Sequence, residues 1–255
     1  MRHFVYLIGI SGACFYLVFG ILLVVMQRSF IYFPSEPIRH GYEERVFENE
    51  GESLKVITLN KGADNAILYF GGNAEAVALN AADFEQHFPN ASIYLVNYRG
   101  YGGSSGKPTE AALCSDALHV YDQIIADHKR VVVIGRSLGS GVASYLAYER
   151  PIEKLVLVTP FDSIESVAQK NYPVYPVPLL IIDSFKSVDL VSDIRAEVLI
   201  MIAGRDAVVE RWHTDNLLAA FTKRPPKVEV IKNAGHNNIS AFERYYPALK
   251  AFLAL

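Results

Sequence analysis

The chain has 255 residues, 51% of them hydrophobic and 20% charged, which suffices for one sizeable globular domain and leaves little for a second. A net charge of −3 and the lack of any Lys/Arg run argue against a nucleic-acid partner, whose phosphates require a basic surface. Cys14 lies in an apolar run and Cys114 stands alone, which excludes a disulfide framework and a cysteine-based metal site.

Residues 4–26 carry no charged side chain. At about 1.5 Å rise per residue such a stretch crosses the ~30 Å of a bilayer's hydrocarbon. Phe, Tyr, Leu and Val cover all of its faces, so the stretch predicts a transmembrane helix rather than a buried core helix. A cleaved signal peptide is the competing reading. Against it stand an unusually long apolar core and the lack of an A-x-A-like cleavage site between Met26 and Ser35. Arg2 flanks one end, Arg28 and Arg39 the other, so the positive-inside rule has little contrast and the side of the following domain stays open. Gly9 and Ala13 stand at a small-xxx-small spacing suited to helix association, but chance explains the pair as well and the oligomeric state is unspecified. The expected division is an anchor with its flanks at 1–29 and a single domain at 30–255.

Beyond the anchor, a short antiparallel edge strand is expected at 45–48. Apolar, β-branched runs then predict strands at 55–59, 66–70, 92–97, 131–134, 154–158, 198–202 and 227–231. Helical stretches are predicted at 76–87, 110–128, 137–150, 212–221 and 240–253. This alternation predicts an α/β fold with one mainly parallel sheet and helices on both faces. In open sheets of that kind, ligands and reactive groups gather on the loops at the carboxyl ends of the strands.

Four such loops carry chemistry-bearing residues. After 66–70 comes Gly71-Gly72-Asn73-Ala74-Glu75, where glycines let backbone approach a ligand and one amide can face an oxyanion; an ordinary tight turn is the simpler alternative. After 131–134 comes Gly135-Arg136-Ser137-Leu138-Gly139, which reads as a nucleophile elbow. The strained apex exposes the Ser137 hydroxyl, Gly135 and Gly139 keep neighbouring atoms clear, and the Leu138 amide at the following helix start supplies an oxyanion donor. After 198–202 and 227–231 the chain turns through Gly204 to Asp206 and through Gly235 to His236. The order Ser, Asp, His then forms a nucleophile, acid and base set. Only His213 and His236 follow the acid, and His213, beside Trp212 at a helix start, suits a surface or capping role. Alternative acids are Asp162, Asp183, Asp189 and Asp193, with Asp162 more readily an N-cap or turn residue.

With these residues the chain resembles membrane-anchored serine hydrolases of the α/β-hydrolase superfamily, in the branch that includes depalmitoylating thioesterases and uncharacterised bacterial members. The resemblance covers about 30–255 and rests also on the glycine-rich segment Asn97-Tyr98-Arg99-Gly100-Tyr101-Gly102-Gly103-Ser104-Ser105-Gly106. It implies the α/β-hydrolase fold with a mostly parallel, eight-stranded type of sheet. It also implies Ser137 as nucleophile, Asp206 as acid, His236 as base, the backbone amides of Asn73 and Leu138 as oxyanion donors, and no metal or organic cofactor. Three departures bear on this pattern: Gly71 stands for a frequent His, Glu210 for a frequent Pro, and Asn238 for a frequent Asp.

The stretch 172–182 is apolar and broken by Pro173, Pro176 and Pro178, which block a regular helix. It reads either as a wall for an acyl chain, with Tyr172, Tyr175 and Leu179 lining it, or as plain packing against the sheet. Beside a bilayer, the expected substrate is an acyl-lipid or acyl-protein ester or thioester. A peptidase or amidase of the same fold and a non-catalytic, membrane-tethered interaction module are the alternatives.

Overall fold

The computed structural model describes residues 2–255; Met1 and the side chains of Arg2, Val5 and Ile8 lie outside that description. The strands are β1 (Glu43–Asn49), β2 (Glu52–Leu59), β3 (Asn65–Phe70), β4 (Ala91–Val96), β5 (Arg130–Arg136), β6 (Lys154–Val158), β7 (Glu197–Ala203) and β8 (Lys227–Ile231). They form one eight-stranded sheet in the order β1-β2-β4-β3-β5-β6-β7-β8. The β1/β2 and β2/β4 pairs are antiparallel, and every pair from β4 through β3, β5, β6 and β7 to β8 is parallel.

The helices are α1 (Arg2–Ile31), α2 (Ala81–His87), α3 (Glu110–Ile124), α4 (Leu138–Glu149), α5 (Ile164–Asn171), α6 (Val177–Leu180), α7 (Ser187–Leu190), α8 (Arg211–Ala220) and α9 (Tyr245–Leu253). Side chains alternate along each strand, so successive residues enter opposite layers. Val131 and Val133 pack with Leu113 of α3, Leu146 of α4 and Leu217 of α8, whereas Val132 and Ile134 pack with Phe84 of α2 and Leu249 of α9. Burial on both sides is why the central strands read as continuous apolar runs.

Several predicted helices differ in detail. The stretch 76–87 splits into a 3-10 turn at Val77–Asn80 and α2, and α3 gives way to a 3-10 turn at Ile125–Asp127. The last helix starts at Tyr245, after a separate 3-10 turn at Ile239–Ala241. Three short helices, α5, α6 and α7, occupy a region that periodicity left irregular. Pro176 precedes α6 and Pro178 sits in its first turn, where the missing N–H costs no helical hydrogen bond, so one turn forms and goes no further.

Within α1, Gly9–Ile31 is long and apolar enough to cross a membrane. Its final turn joins the folded domain. Arg28 Nε pairs with Asp183 Oδ2 at 2.9 Å, and the Ile31 carbonyl accepts a 2.7 Å bond from Asn73 Nδ2.

A candidate active site at the carboxyl edge of the sheet

Ser137 sits between β5 and α4 with φ 49° and ψ −115°, a backbone region that side chains rarely adopt. The loop is held by backbone bonds from Ser137 N to the Val158 carbonyl (2.9 Å) and from Ser140 N to the Ser137 carbonyl (2.8 Å). A Cβ at position 135 would lie 2.2 Å from the Gly139 carbonyl oxygen, and one at position 139 would lie 2.1 Å from that of Phe70. Both contacts are with backbone, which has nowhere to move. Gly135 and Gly139 are therefore required by close approach of the strand, the elbow and the Gly71 loop.

His236 is buried on the loop after β8. Its Nε2 lies 2.8 Å from Ser137 Oγ, and its Nδ1 lies 2.7 Å from Asp206 Oδ2. The other Asp206 oxygen accepts the backbone N–H groups of Val208 (2.9 Å) and Val209 (2.8 Å), which fixes the carboxylate before any ligand arrives. The two loops are also joined directly, by Gly204 N to the Ile231 carbonyl and Arg205 N to the Ala234 carbonyl. Asn238, which stands where the resemblance implies a frequent Asp, accepts the Gly235 N–H through Oδ1 at 2.8 Å, a task that needs an oxygen but no charge.

Across the cleft, the Gly71-Gly72-Asn73 loop approaches Ser137 closely, since a Cβ on Gly72 would meet Ser137 Cβ at 3.6 Å. The side chain of Asn73 is consumed by anchoring. Its Oδ1 accepts from Phe33 N (2.9 Å), Tyr101 Oη (2.8 Å) and Ala74 N (3.1 Å), while Nδ2 donates to Ile31. Burial pushes the Tyr101 phenol above its ordinary value, so it remains a proton donor to Asn73. None of these bonds uses the Asn73 backbone N–H. Gly72, Asn73, Glu75, Arg136, Ser137 and His236 border a hollow of about 310 Å³.

Two residues of this site escaped sequence reading. Glu75 accepts from Gly72 N (2.6 Å), Tyr69 Oη (2.6 Å), Asn80 Nδ2 (2.5 Å) and Arg136 Nη1 (3.2 Å). Arg136 also donates to the carbonyls of His236 (3.3 Å) and Asn237 (3.0 Å). Burial works against the charge of Arg136, yet Glu75, Tyr69 and Tyr245 outweigh it and the guanidinium pKa is raised. Only the position of Arg136 inside the elbow hinted at this role.

The alternative histidine and acid pair with each other instead. His213, expected at the surface or as a cap, is 1% exposed and places Nδ1 2.8 Å from Asp162 Oδ1. Asp162 also accepts from Ser163 N (2.8 Å) and Asn216 Nδ2 (3.0 Å), and the N-cap of α5 is Ser163, whose hydroxyl takes Ser166 N. In the first turn of α8, Thr214 Oγ1 donates to the Pro160 carbonyl on the loop after β6 (2.8 Å), and this seat turns the neighbouring His213 inward to meet the carboxylate. Of the residues expected to wall an acyl chain, Tyr172 and Tyr175 line a narrow apolar cleft with Leu23, Val24, Phe30 and Ile31 of α1. Leu179 does not line it, because at 84% exposure it faces outward on the single turn of α6.

A profile of the alpha/beta hydrolase family matches residues 70–185. The uncharacterised protein Rv2307c of Mycobacterium tuberculosis is 31% identical over 237 residues, covering 86% of this chain and 84% of its own length. Human alpha/beta hydrolase domain-containing protein 17B is 30% identical over 175 residues, with 65% of this chain covered and a little over half, 57%, of that protein. Among solved structures, the Pyrococcus furiosus esterase Pf2001 superposes with a TM-score of 0.69 at 17% identity, covering 87% of this chain and 98% of that one. An enol-lactonase from Burkholderia xenovorans superposes with a TM-score of 0.64 at 14% identity, covering 83% and 100%. These two likenesses concern the fold alone; the family profile and the sequence relatives show that the chain belongs to the alpha/beta-hydrolase superfamily.

Proposed function

We propose that this protein is a serine hydrolase that cleaves a carboxylic ester or thioester through an acyl-enzyme intermediate. The observation that carries the reading is the chain of contacts from Ser137 Oγ through the His236 ring to the doubly anchored Asp206. In this mechanism Ser137 Oγ attacks the acyl carbonyl while its proton passes to His236 Nε2. Asp206 holds the Nδ1–H tautomer and stabilises the imidazolium. The backbone amides of Asn73 and Leu138 receive the oxyanion, each worth roughly 3 kcal/mol of barrier. His236 then protonates the leaving alcohol or thiol, and water releases the acyl group by the same route.

An acyl-lipid or acyl-protein substrate near a membrane is the substrate class we assign. Its support is the apolar cleft between α1 and Tyr172 and Tyr175, which reaches Ile31, the residue whose carbonyl bonds to Asn73. No metal or cofactor enters this scheme. The test is labelling of the full chain with a fluorophosphonate, followed by mass spectrometry of the modified peptide. Modification of Ser137, lost in Ser137→Ala, is expected. Absence of labelling, or labelling that survives the substitution, overturns the reading.

A further inference from the structure

We propose that residues 172–182 enter the hydrocarbon of the bilayer beside α1, so that the domain is held to the membrane by two elements instead of one. The inference rests on α1 crossing the membrane and is independent of the chemistry at Ser137.

Position along α1 carries the argument. Arg28 pairs with Asp183, and Gln27 bonds to both sides of the adjoining backbone: Nε2 donates to the Leu180 carbonyl (3.3 Å) and Oε1 accepts Ile182 N (2.7 Å). Further along the helix the Tyr16 and Tyr175 rings stack at 4.5 Å, Tyr16 Oη donates to the Val174 carbonyl (2.9 Å), and Tyr175 Oη donates to the Tyr16 carbonyl (3.1 Å). Gly20 admits this approach, since a Cβ there would lie 2.9 Å from the Tyr175 ring. From Arg28 back to Tyr16 the helix axis advances about 18 Å, more than half of the ~30 Å hydrocarbon thickness. With the Arg28 and Asp183 pair at the membrane boundary, a segment packed against Tyr16 lies inside any bilayer that α1 crosses.

The segment is built for that solvent. It holds no charged side chain, and Val174, Leu179 and Ile182 are 70%, 84% and 61% exposed in the isolated chain. Irregular backbone in hydrocarbon is tolerated only where its polar groups find partners. Pro173, Pro176 and Pro178 have no N–H to satisfy. The N–H groups of Tyr172, Tyr175, Val177, Leu179 and Ile181 bond to the carbonyls of Ala168, Tyr172, Tyr175, Pro176 and Val177, and that of Ile182 bonds to Gln27. Tyr16 and Gln27, polar residues in an otherwise apolar stretch, donate to the carbonyls of Val174 and Leu180. A surface loop in water would need none of this.

The experiment uses the full chain with Cys14→Ser, leaving the buried Cys114, reconstituted in dioleoylphosphatidylcholine vesicles. A bimane label is placed in turn on Val174→Cys, Leu179→Cys, Leu17→Cys within α1, and Glu85→Cys on the exposed face of α2. Quenching by lipids carrying a doxyl group near the acyl terminus is compared with quenching by aqueous iodide. Labels at 174 and 179 are expected to be quenched by the doxyl lipid as strongly as the label at 17, with iodide quenching about fivefold weaker than at 85. Iodide access at 174 and 179 equal to that at 85, with position 17 shielded, overturns insertion of the segment while leaving the anchor. Iodide access at 17 as well overturns the membrane reading and the proposal with it.

Discussion

The guanidinium of Arg136, the residue preceding Ser137, bonds to the Glu75 carboxylate at 3.2 Å across the mouth of the site. Because Glu75 also takes the Gly72 N–H, and Arg136 also holds the His236 and Asn237 carbonyls, this one pair links the loop that carries Asn73 to the loop that carries His236. Three segments from distant parts of the chain are thereby set in register. Neither residue faces the reacting atoms in the proposed mechanism, so both act by positioning.

Replacing Glu75 with Ala should lower kcat roughly a hundredfold with little change in KM, since a misplacement of about 1 Å in reacting groups costs that much. Glu75→Gln keeps an acceptor for Gly72 N–H and should recover part of the loss. Steady-state kinetics with a short soluble ester and a melting curve for each variant check this. Unchanged kcat, or a loss that the fall in Tm fully accounts for, refutes the positioning role.

Ser137→Ala should abolish ester hydrolysis, with a fall in kcat of roughly a millionfold and an unaltered circular dichroism spectrum. The strained elbow is held by backbone bonds and by Gly135 and Gly139, none of which the hydroxyl supplies. Residual kcat above about a tenth of the native value is incompatible with a triad nucleophile.

His236→Ala should match Ser137→Ala, and the double variant should be no worse than either, because triad members act as a unit. His213→Ala should behave oppositely. Activity per folded molecule should persist, while loss of a buried partner for Asp162 costs about 1–3 kcal/mol, read as a lowered Tm. Inactivation by His213→Ala with full activity in His236→Ala would reverse the assignment of the base.

Glu110, at the start of α3, accepts the Ser184 and Phe185 N–H groups at 2.6 and 2.9 Å, at the base of the 172–182 segment. Burial pushes its carboxyl above the ordinary 4.5, and the two backbone donors pull it back only in part. A raised folded-state value means the folded chain binds the proton more tightly than the unfolded chain, so this contribution is present below 4.5 and lost as pH rises through the raised value. In Glu110→Gln it should vanish. The Tm of the native protein minus that of the variant should therefore decline with pH across that window, and a flat or rising difference contradicts the account.

Much of the fold is written locally. Runs such as 131–134 and 66–70 are strands because both sheet faces bury them, and the glycines at 71, 135, 204 and 235 mark where each run turns at the carboxyl edge. The Ser137 elbow is local for the same reason, since strand, turn and helix adjoin in sequence. From these pieces the chain order of Ser137, Asp206 and His236 could be read directly.

What the sequence did not contain was which loops meet. Asp162 and Asp206 both follow strands, and His213 and His236 both follow Asp206, so spacing alone ranks them poorly. The tertiary structure pairs Asp162 with His213 in the interior and Asp206 with His236 beside Ser137. The bond between Glu75 and Arg136 spans 61 positions, and the seat of Tyr175 against Tyr16 spans 159. No propensity or period encodes such separations. Leu179 faces outward for a related reason: a single helical turn sets its direction, and only the packing of that turn against α1 decides which face is covered. Local chemistry thus determined the elements and the residue types at their ends, while the sheet order and the docking of α1 decided which of those residues touch.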